Sequence, residues 1–217
     1  MFSYTQQKIS SQSIIYKSFK NIFETKMKKG KLIITRHHES KWNKESRWTG
    51  QHDVDLTPHG LEMSKKMGEM IKEMEIQRAV SSKLKRSIRT LEEMLKTADL
   101  QNLKIERFSE INERDYGDYT GKNKWEMKEV FGEEKFNCIR REWDCPVPNG
   151  ETLKTVYERV VPFYLENILP KVLEGETTIL VAHTNSIRAL LKYIEKIPDG
   201  EIKNLETPFG LIYIYMT

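Results

Sequence analysis

Leu32-Ile33-Ile34-Thr35-Arg36-His37-His38-Glu39-Ser40 is the stretch on which the fold is decided. Its first four residues are an apolar, β-branched run that reads as a buried strand. The five that follow are polar and open with a guanidinium and two imidazoles. A buried strand here delivers reactive groups at its carboxyl end, which is where open α/β sheets build their sites.

Working outward, strand and helix alternate. Thr57-Pro58 opens a helix, with Thr at the N-cap and Pro at the first helical position. Leu61, Met67, Met70, Ile71 and Met74 follow on one face as core contacts. Residues 76–81 read as a second strand, 84–96 as a helix and 103–108 as a weaker strand. Residues 124–143 read as helical with a break near Gly132, 144–150 as a Pro-containing loop, and 151–173 as a long helix kinked at Pro162. A strand at 178–182, a helix at 186–196 and a closing strand at 211–216 complete the pattern. Strands separated by helices predict an α/β protein, a three-layer sandwich with a mostly parallel central sheet flanked by helices. No repeat or linker divides residues 31–217, so residues 27–217 read as one catalytic domain behind a basic extension, residues 1–26.

A chain of 217 residues can bury a core without disulfide or metal staples. With 38% hydrophobic and 31% charged residues it is neither disordered nor fibrous. No apolar stretch approaches the roughly 20 residues of a membrane helix. The net charge of +4 suggests a polyanionic partner until its distribution is examined: residues 1–30 hold six Lys and one Glu, and the remaining 187 hold 30 basic and 31 acidic side chains. A near-neutral body argues against nucleic-acid binding. In the extension, Ile15, Phe19, Ile22 and Phe23 lie at helical spacing, with Lys17 and Lys20 between them, as in a short amphipathic helix. Organelle targeting, a docked or disordered appendage, and a true start at Met27 are the readings open for it. Cys138 and Cys145 lack a second pair to complete a zinc site and read as buried or indifferent thiols of a reducing compartment in preference to a structural disulfide; the expected location is the cytoplasm.

The strand ends direct the search for chemistry. After residues 32–35 come Arg36 and His37; after 76–81, Arg86; after 178–182, His183; after the weak strand, Glu113. Two His, two Arg and a Glu converge on one rim if the sheet is as read. An imidazole beside guanidinium groups is a nucleophile for phosphoryl groups. Each Arg about 4 Å from a unit negative charge contributes ~4 kcal/mol at an effective dielectric of about 20. The same arginines disfavour the imidazolium, which keeps His37 neutral at pH 7, and they bind phosphate bidentately. Glu113 supplies a proton-transfer group. No metal-ligand cluster is present in the pattern, so side chains must supply the positive charge. His52 and His59 lack such support and read as loop and helix-start residues.

Arg36-His37-x-Glu39-Ser40-x-Trp42-Asn43 resembles the opening motif of the histidine phosphatase superfamily, and more narrowly the 2,3-bisphosphoglycerate-dependent phosphoglycerate mutases. Thr49-Gly50, Ser82-x-Leu84-Lys85-Arg86, Asn112-Glu113-Arg114-x-Tyr116-Gly117, Gly121-x-Asn123-Lys124, Arg140-Arg141, the run from Pro148 to Lys154 and Ala182-His183-x-Asn185-Ser186-x-Arg188 are similar to that family in its order. The resemblance spans about residues 31–213. It implies that His37 carries a phosphoryl group, that Arg36, Arg86 and His183 surround it, and that Glu113 moves the proton. It implies that Asn43, Thr49, Gly50, Tyr116, Lys124, Arg140, Arg141 and Asn185 hold the substrate. The implied reaction interconverts 3-phosphoglycerate and 2-phosphoglycerate in glycolysis and gluconeogenesis, with 2,3-bisphosphoglycerate as priming cofactor, no metal, and a monomer or homo-oligomer as the unit.

Departures from the pattern set further expectations. The family has Gly after each catalytic His, whereas this chain has His38 and Thr184, which would crowd the phosphate pocket unless His38 adds a donor. Trp48, Gln51 and His52 replace the usual neighbours of Thr49-Gly50. The family's longer C-terminal tail, which helps cover the site, has no counterpart after the last strand; an open site admits water and favours hydrolysis. The alternatives to a mutase are therefore a phosphatase on bisphosphoglycerate or another small phosphate ester, and a non-enzymatic binding protein of the same fold.

Overall fold

Alternation along the central strands sorts their side chains into two cores. The computed structural model describes residues 5–9, 12–18 and 29–217. Among them, strands β1 (Thr5–Ile9), β2 (Gln12–Ser18), β3 (Lys31–Arg36), β4 (Arg78–Ser82), β5 (Ile105–Phe108), β6 (Thr177–Ala182) and β7 (Leu211–Met216) form one sheet in the order β1-β2-β7-β3-β6-β4-β5. Strands β3, β6, β4 and β5 run parallel to one another, and β2 runs parallel to β7, while β7 is antiparallel to β3 and β1 to β2. The mostly parallel sheet matches the sequence expectation.

On one face, Leu32, Ile34, Val80, Leu180 and Tyr213 pack with helices α6 (Leu153–Phe163) and α8 (Thr184–Ile194). On the other, Ile33, Ala79, Ile179, Val181 and Ile212 pack with α2 (Pro58–Ile71) and α3 (Lys85–Thr97). Both faces being covered explains why these strands read as continuous apolar runs. A third cluster, Trp48, Tyr116, Tyr119, Phe136, Ile139, Cys145 and Val147, lies under the loops that rim the site.

Local chemistry sets the helix ends. Thr57 accepts a hydrogen bond from the Gly60 N–H (2.9 Å) and Pro58 begins α2, as the sequence predicted. The break at Gly132 separates α4 (Lys124–Phe131) from α5 (Glu133–Arg141), and Gly132 sits at φ 75, where a side chain is strained. After Pro162 the helix widens into a π-type turn, Tyr164–Ile168, before a last helical turn, α7 (Leu169–Leu173). Proline removes a backbone donor, which accounts for an interrupted helix here. A short helix, α1 (Lys41–Lys44), was not anticipated; Ser40 caps it by accepting from the Asn43 N–H.

Two expectations are corrected. Ile15 lies in strand β2, paired in parallel with β7, and not in an amphipathic helix; Phe19, Ile22 and Phe23 lie outside the described residues. Cys138 and Cys145 are joined in a disulfide, with Cα atoms 5.6 Å apart. Helix α5 ends at Arg141 and residues 142–144 turn the chain back, so a separation of seven becomes a contact that residue spacing alone did not reveal.

Candidate active site

Strand register builds the centre of the site. Arg36 pairs with Ala182 across β3 and β6, so His37 and His183 leave adjacent strands at the same level. Their rings are 4.9 Å apart. Strand β4 lies on the far side of β6, and Ser82 at its end places Oγ 2.7 Å from His183 Nε2. His37 Nδ1 lies 2.6 Å from the His38 carbonyl oxygen. A carbonyl can only accept, so Nδ1 carries the proton and Nε2 keeps its lone pair. Burial, followed by the Arg86 and Arg36 charges, pushes the His37 pKa well below its ordinary value. The sequence reading anticipated a neutral imidazole but credited the arginines; desolvation is the larger cause. His183, fully buried, is lowered for the same reasons.

Burial lowers Arg36 and Arg86 to about 10, which leaves both charged at neutral pH. Arg86 donates to the carbonyls of Gly50 (2.7 Å) and His52 (2.9 Å) and so ties down the loop carrying Thr49. Arg36 lies 3.9 Å from the Phe209 ring centroid and donates to the Thr207 carbonyl. Glu113 is anchored through Oε1, which accepts from the N–H groups of Arg114 (2.8 Å) and Asn185 (3.1 Å). Asn185 lies in the first turn of α8, where backbone N–H groups favour a carboxylate.

These residues open onto a cavity of about 160 Å³. Arg36, His37, Arg86 and Glu113 line it together with Asn43, Thr49, Gly50, Tyr116, Lys124, Arg140, Arg141 and Asn185. Of the sequence-derived candidates only His183 lies behind the wall, in contact with His37. Asn43 reaches the cavity from α1, and Lys124 from the start of α4, where Asn123 caps the helix. Burial, then Arg140 and Arg36, lower Lys124 to about 8. Tyr116 is set by the turn at Gly117 (φ 46), where a Cβ would collide with the Pro148 carbonyl.

The α5 carbonyls explain how Arg140 and Arg141 are held. Arg114 donates to Ile139 O (2.6 Å), and Arg188 donates to Arg140 O (3.3 Å), Arg141 O (2.6 Å) and Ile202 O (2.9 Å). Two buried guanidiniums thus complement the negative end of the helix dipole and fix the turn that presents two more. Four buried donors on cavity residues have no hydrogen-bond partner among the described residues: Arg36 Nε, Trp48 Nε1, Thr49 Oγ1 and Thr207 Oγ1. Clustered unpaired donors suit a ligand rich in acceptor oxygens.

The two substituted glycine positions differ. His38 faces away from the cavity: its Nδ1 accepts from the Glu39 N–H (2.8 Å) and its ring stacks on Phe209 and meets His59 edge-on. It neither crowds the pocket nor adds a donor to it, whereas Thr184 does line the wall. His52 stacks on Trp42, with ring centroids 4.5 Å apart. Sequence reasoning missed Trp48, Glu206, Thr207 and Pro208, all of which line the cavity. The last three precede β7. That strand is antiparallel to β3, so its amino end faces the site, and a search confined to carboxyl ends passes over it. Among the described residues no group of His, Cys, Asp and Glu is arranged to hold a metal ion, and no helix is long and apolar enough to cross a membrane.

A strand-end histidine between arginines, on a doubly covered α/β sheet, defines a class, and comparison supports it: the family model for the histidine phosphatase superfamily (branch 1) matches residues 32–215. The chain belongs to that superfamily. Among curated proteins, it is 38% identical over 214 residues to the 2,3-bisphosphoglycerate-dependent phosphoglycerate mutase of Corynebacterium diphtheriae, covering 87% of this chain and 86% of the relative. The same identity and coverage hold for the mutase of Corynebacterium kroppenstedtii. Among solved structures, it resembles a mycobacterial glucosyl-3-phosphoglycerate phosphatase (TM-score 0.73, 22% identity, 84% of this chain and 87% of that one). It also resembles the alpha-ribazole phosphatase of Shigella flexneri (TM-score 0.73, 18% identity, 86% and 93%). These two likenesses concern the fold.

Proposed function

We propose that the protein interconverts 3-phosphoglycerate and 2-phosphoglycerate through a phosphoryl group carried on His37. The observation that carries this reading is a buried, neutral imidazole whose Nδ1 proton is engaged by the His38 carbonyl, in a cavity that also presents Arg36, Arg86 and Glu113. 2,3-Bisphosphoglycerate supplies the priming phosphoryl group, and the four unpaired donors suit its oxygens. His37 Nε2 attacks phosphorus, the bond from phosphorus to the leaving oxygen breaks, and Glu113 delivers the proton that oxygen needs. Arg36, Arg86 and buried His183 surround the transferring group, and the arginines offset its charge without any solvent reorganisation. Asn43, Thr49, Gly50, Tyr116, Lys124, Arg140, Arg141 and Asn185 hold the rest of the substrate. The carboxylate of phosphoglycerate pairs with the α5 arginines. In this reading residues 27–217 are the catalytic domain, residues 1–26 a basic extension, and the reaction belongs to glycolysis and gluconeogenesis.

The experiment is a paired assay of 3-phosphoglycerate with and without 2,3-bisphosphoglycerate. The mutase reading expects 2-phosphoglycerate, stimulated by the bisphosphate. Free phosphate as the dominant product would replace it with the phosphatase reading, and no turnover of either kind would leave a binding protein.

A further inference from the structure

The cavity wall carries five cationic side chains, Arg36, Arg86, Lys124, Arg140 and Arg141, and two carboxylates, Glu113 and Glu206. Glu113 is committed to backbone N–H groups. Glu206 lies 2.6 Å from Arg141, with its own side chain 66% exposed and that of Arg141 26% exposed. The two backbones are anchored: Tyr213 donates its hydroxyl hydrogen to Glu206 O (3.1 Å), and Arg188 holds Arg141 O (2.6 Å). Only the side-chain heads are free to part. Glu206 also acts at longer range, since its charge favours the cationic forms of Arg36, Arg140 and Arg188.

We propose that Glu206 is a specificity-determining residue, a resident carboxylate that occupies Arg141 and must be displaced by the carboxylate of an incoming phosphate ester. This rests on the phosphoglycerate reading of the site. A ligand with a carboxylate exchanges one Arg141 ion pair for another and gains little from it. A phosphate ester without a carboxylate leaves the Glu206–Arg141 pair intact and loses nothing. Glu206 therefore narrows the preference for carboxylate-bearing esters and eases their departure. The pair sits at an exposed rim, where such ion pairs are weak enough to exchange.

The test compares wild type with Glu206→Gln and Glu206→Ala by direct binding of 3-phosphoglycerate and of glycerol 3-phosphate, which has the same carbon chain and no carboxylate. Both variants should bind 3-phosphoglycerate about two- to five-fold more tightly, the size of a rim ion pair, with a clearly smaller gain for glycerol 3-phosphate. Weaker binding of 3-phosphoglycerate, or equal gains for the two ligands, would overturn the proposal; so would absence of 3-phosphoglycerate binding to all three proteins. Binding with the selective gain but no formation of 2-phosphoglycerate would uphold the role of Glu206 while removing the mutase reading. Melting curves separate altered affinity from altered folding.

Discussion

The two ends of the cavity are built differently. At the inner end His37, Arg86, Glu113 and His183 are buried and Arg36 is half-buried; Arg36, His37 and His183 sit at strand ends whose register is fixed by the sheet, and Arg86 on α3 and Glu113 on the loop after β5 are brought against them. The outer end, with Asn43, Lys124, Arg140, Arg141 and Glu206, hangs on short helices and a loop, and its groups are partly exposed. Burial holds the imidazoles of the inner end neutral, while its guanidiniums, lowered only to about 10, stay charged in spite of it. The outer end gains its precision from cross-links instead: Arg114 and Arg188 to the α5 carbonyls, and the Cys138–Cys145 disulfide. In the proposed function, chemistry falls to the end anchored by the sheet and recognition to the cross-linked pieces, which can vary without disturbing it.

If that division holds, damage at the inner end should lower turnover and damage at the outer end should raise KM. The largest effect short of removing His37 is expected from Glu113→Gln, which keeps the shape and loses the proton-transfer group: kcat should fall by about 10²- to 10⁴-fold, with a modest change in KM. A loss confined to KM would break the comparison. Next is Arg188→Met, which removes the side-chain donor to the carbonyls of Arg140 and Arg141, while Ile202 O keeps the Leu205 N–H. KM for 3-phosphoglycerate should rise by roughly ten-fold or more, given the cost of unpaired buried groups, and Arg188→Lys should restore part of it. A variant with unchanged KM would show that α5 holds itself.

The smallest effect is one of pH. Lys124, lowered to about 8 by burial and by Arg140, is cationic below that pH and neutral above it. Substrate affinity should therefore fall as pH rises through about 8, and Lys124→Met should be weak throughout and lack this step. A step of the same size in the variant would assign it to another group.

The inner end was legible in the sequence because each member follows a strand that can be recognised from its apolar run. Arg36-His37 and His183 needed only the strands at 32–35 and 178–182. The outer end was legible through family resemblance, which named Lys124, Arg140 and Arg141, but not through local pattern. Glu206 and Thr207 escaped because β7 runs antiparallel to β3, a fact of tertiary pairing that no hydrophobic period encodes. The disulfide escaped because a chain reversal after α5, and not the residue separation, brings its cysteines together. His38 was misjudged in its direction: the residue after His37 turns its ring to Phe209 and leaves the pocket clear.

The central claim is that the inner end carries a phosphoryl group on His37, and the direct measurement is trapping of that group. Incubation with 2,3-bisphosphoglycerate labelled in its phosphate, followed by alkaline quench and peptide mapping, should place an acid-labile phosphate on the peptide containing His37. The label should vanish in His37→Ala and leave on addition of unlabelled 3-phosphoglycerate. Label that persists in His37→Ala, or turnover of substrate by that variant at the wild-type rate, would contradict it.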